Sequence, residues 1–154
     1  MKKYYLYLVL VIGLVSCGIK VSKNPEILIK ETELYSEKID AEKSLESEIT
    51  EGALTDAEGF KDIGKFKSTV YFNKSTKELL KITNVETTDK TVTENYYFKN
   101  NRLSYFDSHS GNSKPKKVYL SNGKVVSSEN ISSQEQKLFI AKAKRFQKEF
   151  NETH

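Results

Sequence analysis

The sequence predicts an α+β fold: an N-terminal helix, a six-stranded antiparallel meander, and a C-terminal helix packed on one sheet face. Three observations carry that expectation. Hydrophobic spacing is helical from Leu28 to Ile49 and again from Phe139 to Phe150. Between them, from Lys65, the period changes to two. A tyrosine followed by a large apolar residue and then a turn recurs along that middle stretch, as Tyr71-Phe72, Tyr97-Phe98-x-Asn100-Asn101 and Tyr119-Leu120-x-Asn122-Gly123.

The first helix opens at Asn24-Pro25-Glu26. Asn suits the cap, Pro suits the first helical position, and an acid in the first turn favours the helix dipole. Leu28, Leu34, Tyr35, Ile39, Ala41, Leu45 and Ile49 then make one broad apolar stripe on a charged helix. The stripe drifts near Asp40, where a bend or break is expected. Gly52, Gly59 and Gly64 mark an irregular connection.

Strands are expected at 65–73, 78–87, 91–99, 102–108, 116–121 and 124–129. Asn-Asn and Asn-Gly favour the positive φ angles of two-residue hairpin turns. With Asn100-Asn101 as the turn, Phe98 faces Leu103 and Tyr96 faces Tyr105. With Asn122-Gly123 as the turn, Leu120 faces Val125. A three-residue loop at Thr88–Lys90 sets Ile82 opposite Tyr96 and Leu80 opposite Phe98, keeping apolar residues on one face. Ser108–Pro115 has the composition of a flexible loop. The second helix begins at Ser132, which forms a capping box with Glu135. Phe139, Ala143, Phe146 and Phe150 supply its apolar face.

If Phe72, Ile82, Tyr96 and Leu103 face the helices, then Tyr71, Leu79, Lys81, Tyr97, Phe106 and Tyr119 point away. Such an exposed stripe of Tyr, Phe and Lys is a candidate binding face for a peptide, a glycan or an envelope protein. The alternative is that another element covers it.

The start of the chain carries an address. Lys2 and Lys3 precede an apolar run from Tyr4 to Val15, too short for a membrane-spanning helix of roughly 20 residues. Leu14-Val15-Ser16-Cys17 closes the run. These four residues resemble the lipobox of bacterial lipoproteins. The resemblance implies a signal peptide over residues 1–16, cleavage before Cys17, and a diacylglyceryl group on that thiol. A lipidated tether (17–24) and a single α+β domain (25–154) follow. Two acyl chains on one residue suffice for stable anchoring, so the membrane itself is an expected partner. By resemblance to the sorting rule of enteric bacteria, Gly18 rather than Asp after the cysteine implies the outer membrane rather than the inner one. The aromatic-turn repeats resemble, over residues 66–127, those of MORN-like hairpin-repeat lipoproteins and small envelope lipoproteins. That likeness implies a repeated hairpin and no functional residue.

Composition excludes several chemistries. Cys17 is the only cysteine, so the body has no disulfide and no cysteine-based metal or redox site. Segment 30–59 carries ten acidic and three basic residues, and segment 60–125 six acidic and thirteen basic. The halves either neutralise each other across the fold or leave a basic surface for an acidic partner. Export and the lack of any nucleic-acid-binding motif argue against nucleic acid. No cofactor or metal motif is present.

The search for catalysis yields one short constellation, Asp107-Ser108-His109-Ser110, which holds the residue types of a hydrolytic triad. Neighbours along one loop rarely converge as a triad must, so a hydrolase is the least favoured role. His154, the last residue, reads as a frayed terminus. The sequence therefore points to a lipid-anchored, non-catalytic envelope protein with a binding or assembly role. The alternative is an inhibitor or immunity protein acting against a secreted toxin or hydrolase.

Overall fold

The computed structural model describes residues 24–154. The expected signal peptide, Cys17 and all of the expected tether but Asn24 lie outside the described residues. The order is α1 (Pro25–Ala41), β1 (Glu46–Thr55), β2 (Asp62–Phe72), β3 (Leu79–Thr87), β4 (Thr91–Lys99), β5 (Arg102–Ser110), β6 (Lys116–Ser121), β7 (Lys124–Glu129) and α2 (Ser133–Thr153). The fold is α+β. Its sheet is a seven-stranded antiparallel meander in sequence order, β1 to β7.

Two expectations are corrected here. The sheet has seven strands, because the helical stripe read through Leu45 and Ile49 ends at Ala41. Residues 46–55, with Gly52 among them, form β1, and Gly64 lies within β2. Only Gly59 of the three glycines sits in a turn, at φ +77°. The second correction concerns the helices, which cover opposite faces of the sheet. On one face α2 packs Ala143 and Phe150 against Phe72, Leu79, Ile82, Tyr96, Phe98, Phe106, Val118 and Leu120. On the other, α1 packs Ile39, Ile29 and Tyr35 with Tyr97, Tyr105 and Tyr119.

The caps form as the sequence predicts. Asn24 Oδ1 accepts the Glu26 N–H at 3.1 Å, and Pro25 opens α1. Ser132 Oγ accepts from Glu135 N, while Glu135 Oε2 accepts from Ser132 N. Lys116 adds a third contact to Glu135, and together these hold its carboxyl down at about 2.

The repeated Tyr-Phe and Tyr-Leu pairs are a repeated structure. Asn100, Asn101, Asn122 and Gly123 all have positive φ, as tight hairpin turns linking right-twisted strands require. Each hairpin then carries the same irregularity. Phe72 pairs with Leu79 and Tyr71 with Lys81, leaving Leu80 without a partner. Phe98 pairs with Leu103 and Tyr97 with Tyr105, leaving out Ser104. Leu120 pairs with Val125 and Tyr119 with Ser127, leaving out Val126. An extra residue on one strand is a β-bulge, and it rotates every later side chain to the opposite face.

Most predicted cross-strand pairs occur, including Phe98 with Leu103, Leu120 with Val125 and Ile82 with Tyr96. Tyr96 instead faces Phe106, because the Ser104 bulge displaces Tyr105 onto Tyr97. The ladder between β3 and β4 ends at Lys81 and Tyr97, one step short of the predicted Leu80–Phe98 pair. The predicted 108–115 loop is shorter than expected, since β5 continues to Ser110.

Candidate functional site

The predicted binding stripe does not form one exposed surface. Tyr97 is 3% exposed, Tyr119 0%, Phe106 1% and Leu79 1%. The Leu80 and Ser104 bulges turn Leu79 and Phe106 into the α2 core. Tyr71, Lys81, Tyr97 and Tyr119 do share a face. Over Tyr97 and Tyr119 that face is covered from within the chain by α1, and Lys81 is bonded to the helix.

The covering is polar and directional. Tyr97 Oη donates to Asp40 at 2.9 Å, and Lys81 Nζ reaches the same carboxylate at 2.6 Å. Tyr119 Oη donates to Glu33 at 2.8 Å, with Lys117 Nζ at 3.1 Å. Glu33 and Asp40 are seven residues apart, two turns, so one helix face presents both carboxylates. Between them Tyr35 Oη donates to the Phe98 carbonyl, and burial pushes its phenol up to about 12. Tyr97, Tyr105 and Tyr119 stack in series, with ring centroids 5.4 and 5.0 Å apart. The Tyr119 hydroxyl and the Lys117 ammonium hold the Glu33 carboxyl below its ordinary value.

The Asp107–Ser110 residues lie in β5, not in a loop. His109 Nε2 is 2.9 Å from Asp107 Oδ1. Asp107 also accepts a hydrogen bond from Asn95 at 3.0 Å. Successive strand residues point to opposite faces, so Ser108 and Ser110 project away from Asp107 and His109. The four residues do not converge as a triad.

A different site emerges on the α2 face. Where the sheet runs out toward β1, α2 leaves a groove of about 450 Å³ above β1, β2 and β3. Leu54, Phe66, Val70, Phe146 and Phe150 give it apolar walls. Phe66 lies across Gly52, where a β-carbon would come within 2.7 Å of its ring. The glycine thus makes room for an aromatic wall. Glu48, Arg145 and Glu149 stand among its polar lining. At one end His154 Nε2 meets Glu48 Oε1 at 3.1 Å, and its ring stacks on Phe150 at 4.2 Å. His154 is therefore packed, not frayed.

The deep end of the groove holds a polar network. Glu94 Oε2 accepts from Asn84 Nδ2 at 3.1 Å, from Tyr96 Oη at 2.9 Å and from Lys142 Nζ at 2.6 Å. Asn84 and Lys142 also donate to Glu86 Oε1. Burial pushes the Glu86 carboxyl up. Hydrogen bonds from Lys142 and Asn84, with the charges of Lys142 and Arg145, outweigh that and leave it below its ordinary value. Asn84 is 2% exposed and Glu94 5%, so this is a polar insertion into the core, satisfied by its own members.

The sequence carries a signal for this network in polar residues at core-facing positions. Asn84 and Glu86 continue the core-facing alternation that starts at Ile82, and Glu94 continues that of Tyr96 and Phe98. Lys142 falls between Phe139 and Phe146 at spacings of three and four, inside the apolar stripe of α2. Polar residues at apolar phase are the mark of such a site.

Among the described residues, no cluster of His, Cys, Asp and Glu could hold a metal ion, and no helix is long and apolar enough to cross a membrane. Comparison with protein-family models, with curated proteins and with solved structures finds no match to this chain.

Proposed function

We propose that this chain is a lipid-anchored protein of the bacterial cell envelope, held in the outer membrane, whose body binds a partner without catalysing a reaction. The observation that carries the reading is the stretch Leu14-Val15-Ser16-Cys17, with the only cysteine of the chain at the position that lipidation requires. Seven residues separate Cys17 from α1. They can span at most about 25 Å, so the anchor would hold the body close to the bilayer surface. The binding role is supported by the groove beside α2, whose volume lies within the usual range of small-molecule sites, roughly 300–1,000 Å³.

The test is the Cys17→Ala variant in cells fed labelled palmitate. The expected outcome is no label and an unprocessed precursor. Label entering the variant, or a processed variant, would remove the lipobox from the account.

A further inference from the structure

We infer that the groove between α2 and strands β1–β3 is a binding site for an amphipathic cation: a molecule with an apolar body and a single protonated amine. The inference rests on the reading of the body as a binding module and names the chemistry of what it takes. The apolar walls, Leu54, Phe66, Val70, Phe146 and Phe150, are contributed by both the sheet and the helix, so an apolar body is enclosed from two sides.

The charge of the groove sets the sign of the head group. Four carboxylates stand in it or directly beneath it: Glu48, Glu86, Glu94 and Glu149. The fixed cations are Lys142 and Arg145. Lys142 is shared by Glu86 and Glu94, at 2.5 and 2.6 Å, so that network carries one uncompensated negative charge. Arg145, 3.8 Å from Glu149 and also attractive to Glu86, offsets one further carboxylate. Among the described residues, Glu48 is paired with His154 alone. The balance is negative with His154 neutral, and stays negative by one charge with His154 protonated. The part of this surplus that belongs to Glu86 and Glu94 is half-buried or buried beside apolar walls, where an attraction between charges is less screened than at the open surface. Glu86, with its side chain 33% exposed, is the member of the network that a ligand's ammonium can reach. Thr50 and Ser68, in one cross-strand row with Asn84, add hydroxyls to the lining. An anionic ligand would meet the same surplus as repulsion.

The test uses three matched probes, 4-phenylbutylammonium, 4-phenylbutanol and 4-phenylbutyrate. Each is titrated calorimetrically into the full chain in neutral phosphatidylcholine nanodiscs, with empty discs as the blank. The ammonium probe should bind most tightly, the alcohol about tenfold more weakly, and the carboxylate below detection. Glu86→Gln keeps an acceptor for Lys142 and Asn84. It should weaken the ammonium probe by about tenfold and leave the alcohol unchanged. Thr50→Trp places an indole in the groove from the exposed edge strand and should abolish binding of both. Equal affinity for the three probes would overturn the cation assignment while leaving a binding groove. No binding of any probe, or binding that survives Thr50→Trp, would overturn the groove as the site.

Discussion

The two faces of the sheet are closed by different physics. On the α2 face, ten buried residues, mostly aromatic and aliphatic, make a contiguous apolar core. On the α1 face, the buried cluster is Ile39 and three tyrosines, and the helix is fastened through hydroxyls and carboxylates. Apolar burial is proportional to area and indifferent to direction. Hydrogen bonds from Tyr97 and Tyr119 to carboxylates seven residues apart fix the rotation and register of α1 as well as its attachment. The α2 face therefore buries the larger apolar core, and the polar face gives α1 a specific docking geometry. The buried polar network on the α2 face, Lys142–Glu86–Glu94, is where its groove lies.

The largest effect that sharpens this contrast is expected at Lys142. Lys142→Met removes the cation from two carboxylates, one of them almost fully buried. Loss of one partner of a buried pair costs about 3 kcal/mol, measurable in urea melts at pH 7. The pH dependence has a definite sign. In the wild type the folded Glu86 carboxyl lies below its unfolded value of 4.5. Its contribution is complete above that value and is lost as pH falls through the folded one. In the variant burial is no longer balanced by the ammonium, and the folded value rises. The deficit should then be greatest at neutral pH and shrink on acidification. A deficit that is constant from pH 7 to pH 4 would mean that the network is not a buried ion cluster.

A smaller effect is expected on the α1 face. Tyr119→Phe deletes the hydroxyl that contributes most to the lowered Glu33 value. The loss should be about 1 kcal/mol, since Lys117 and water still serve a carboxylate that is partly exposed. The Glu33 carboxyl should rise toward its ordinary value in a carboxyl-detected NMR titration. An unmoved Glu33 would break the docking geometry proposed for α1.

Much of this architecture is legible in the chain. Asn24-Pro25 and Ser132-x-x-Glu135 announce both helix starts, and the Asn-Asn and Asn-Gly turns set the pairs Phe98–Leu103 and Leu120–Val125. The repeated Tyr-Phe and Tyr-Leu pairs identify the residues that divide between the two faces. What is not legible has two physical causes. Strand β1 lies at the sheet edge, with most of its side chains exposed, so Glu46-Ser47-Glu48-Ile49-Thr50-Glu51 has no apolar alternation, and its Ile49 mimics helical spacing after Leu45. The bulges are the second cause. A single unpaired residue, Leu80 or Ser104, leaves no compositional mark, yet it exchanges the faces of Leu79 and Phe106. The same shift explains why the predicted stripe mixed residues from both faces. Of its members, Tyr71, Lys81, Tyr97 and Tyr119 share one face, and the last three are hydrogen-bonded to α1.

The central claim is that both faces are core because the helices lie on opposite sides of the sheet. Adjacent residues Tyr97 and Phe98 test it directly, since they point to opposite faces and are 3% and 0% exposed. Paired urea melts of Tyr97→Ala and Phe98→Ala should each show a loss of about 3–5 kcal/mol, the range for a large aromatic removed from packed surroundings. A sheet with both helices on one side would leave one of the two residues in solvent. A cost below about 1 kcal/mol for either variant would contradict the account.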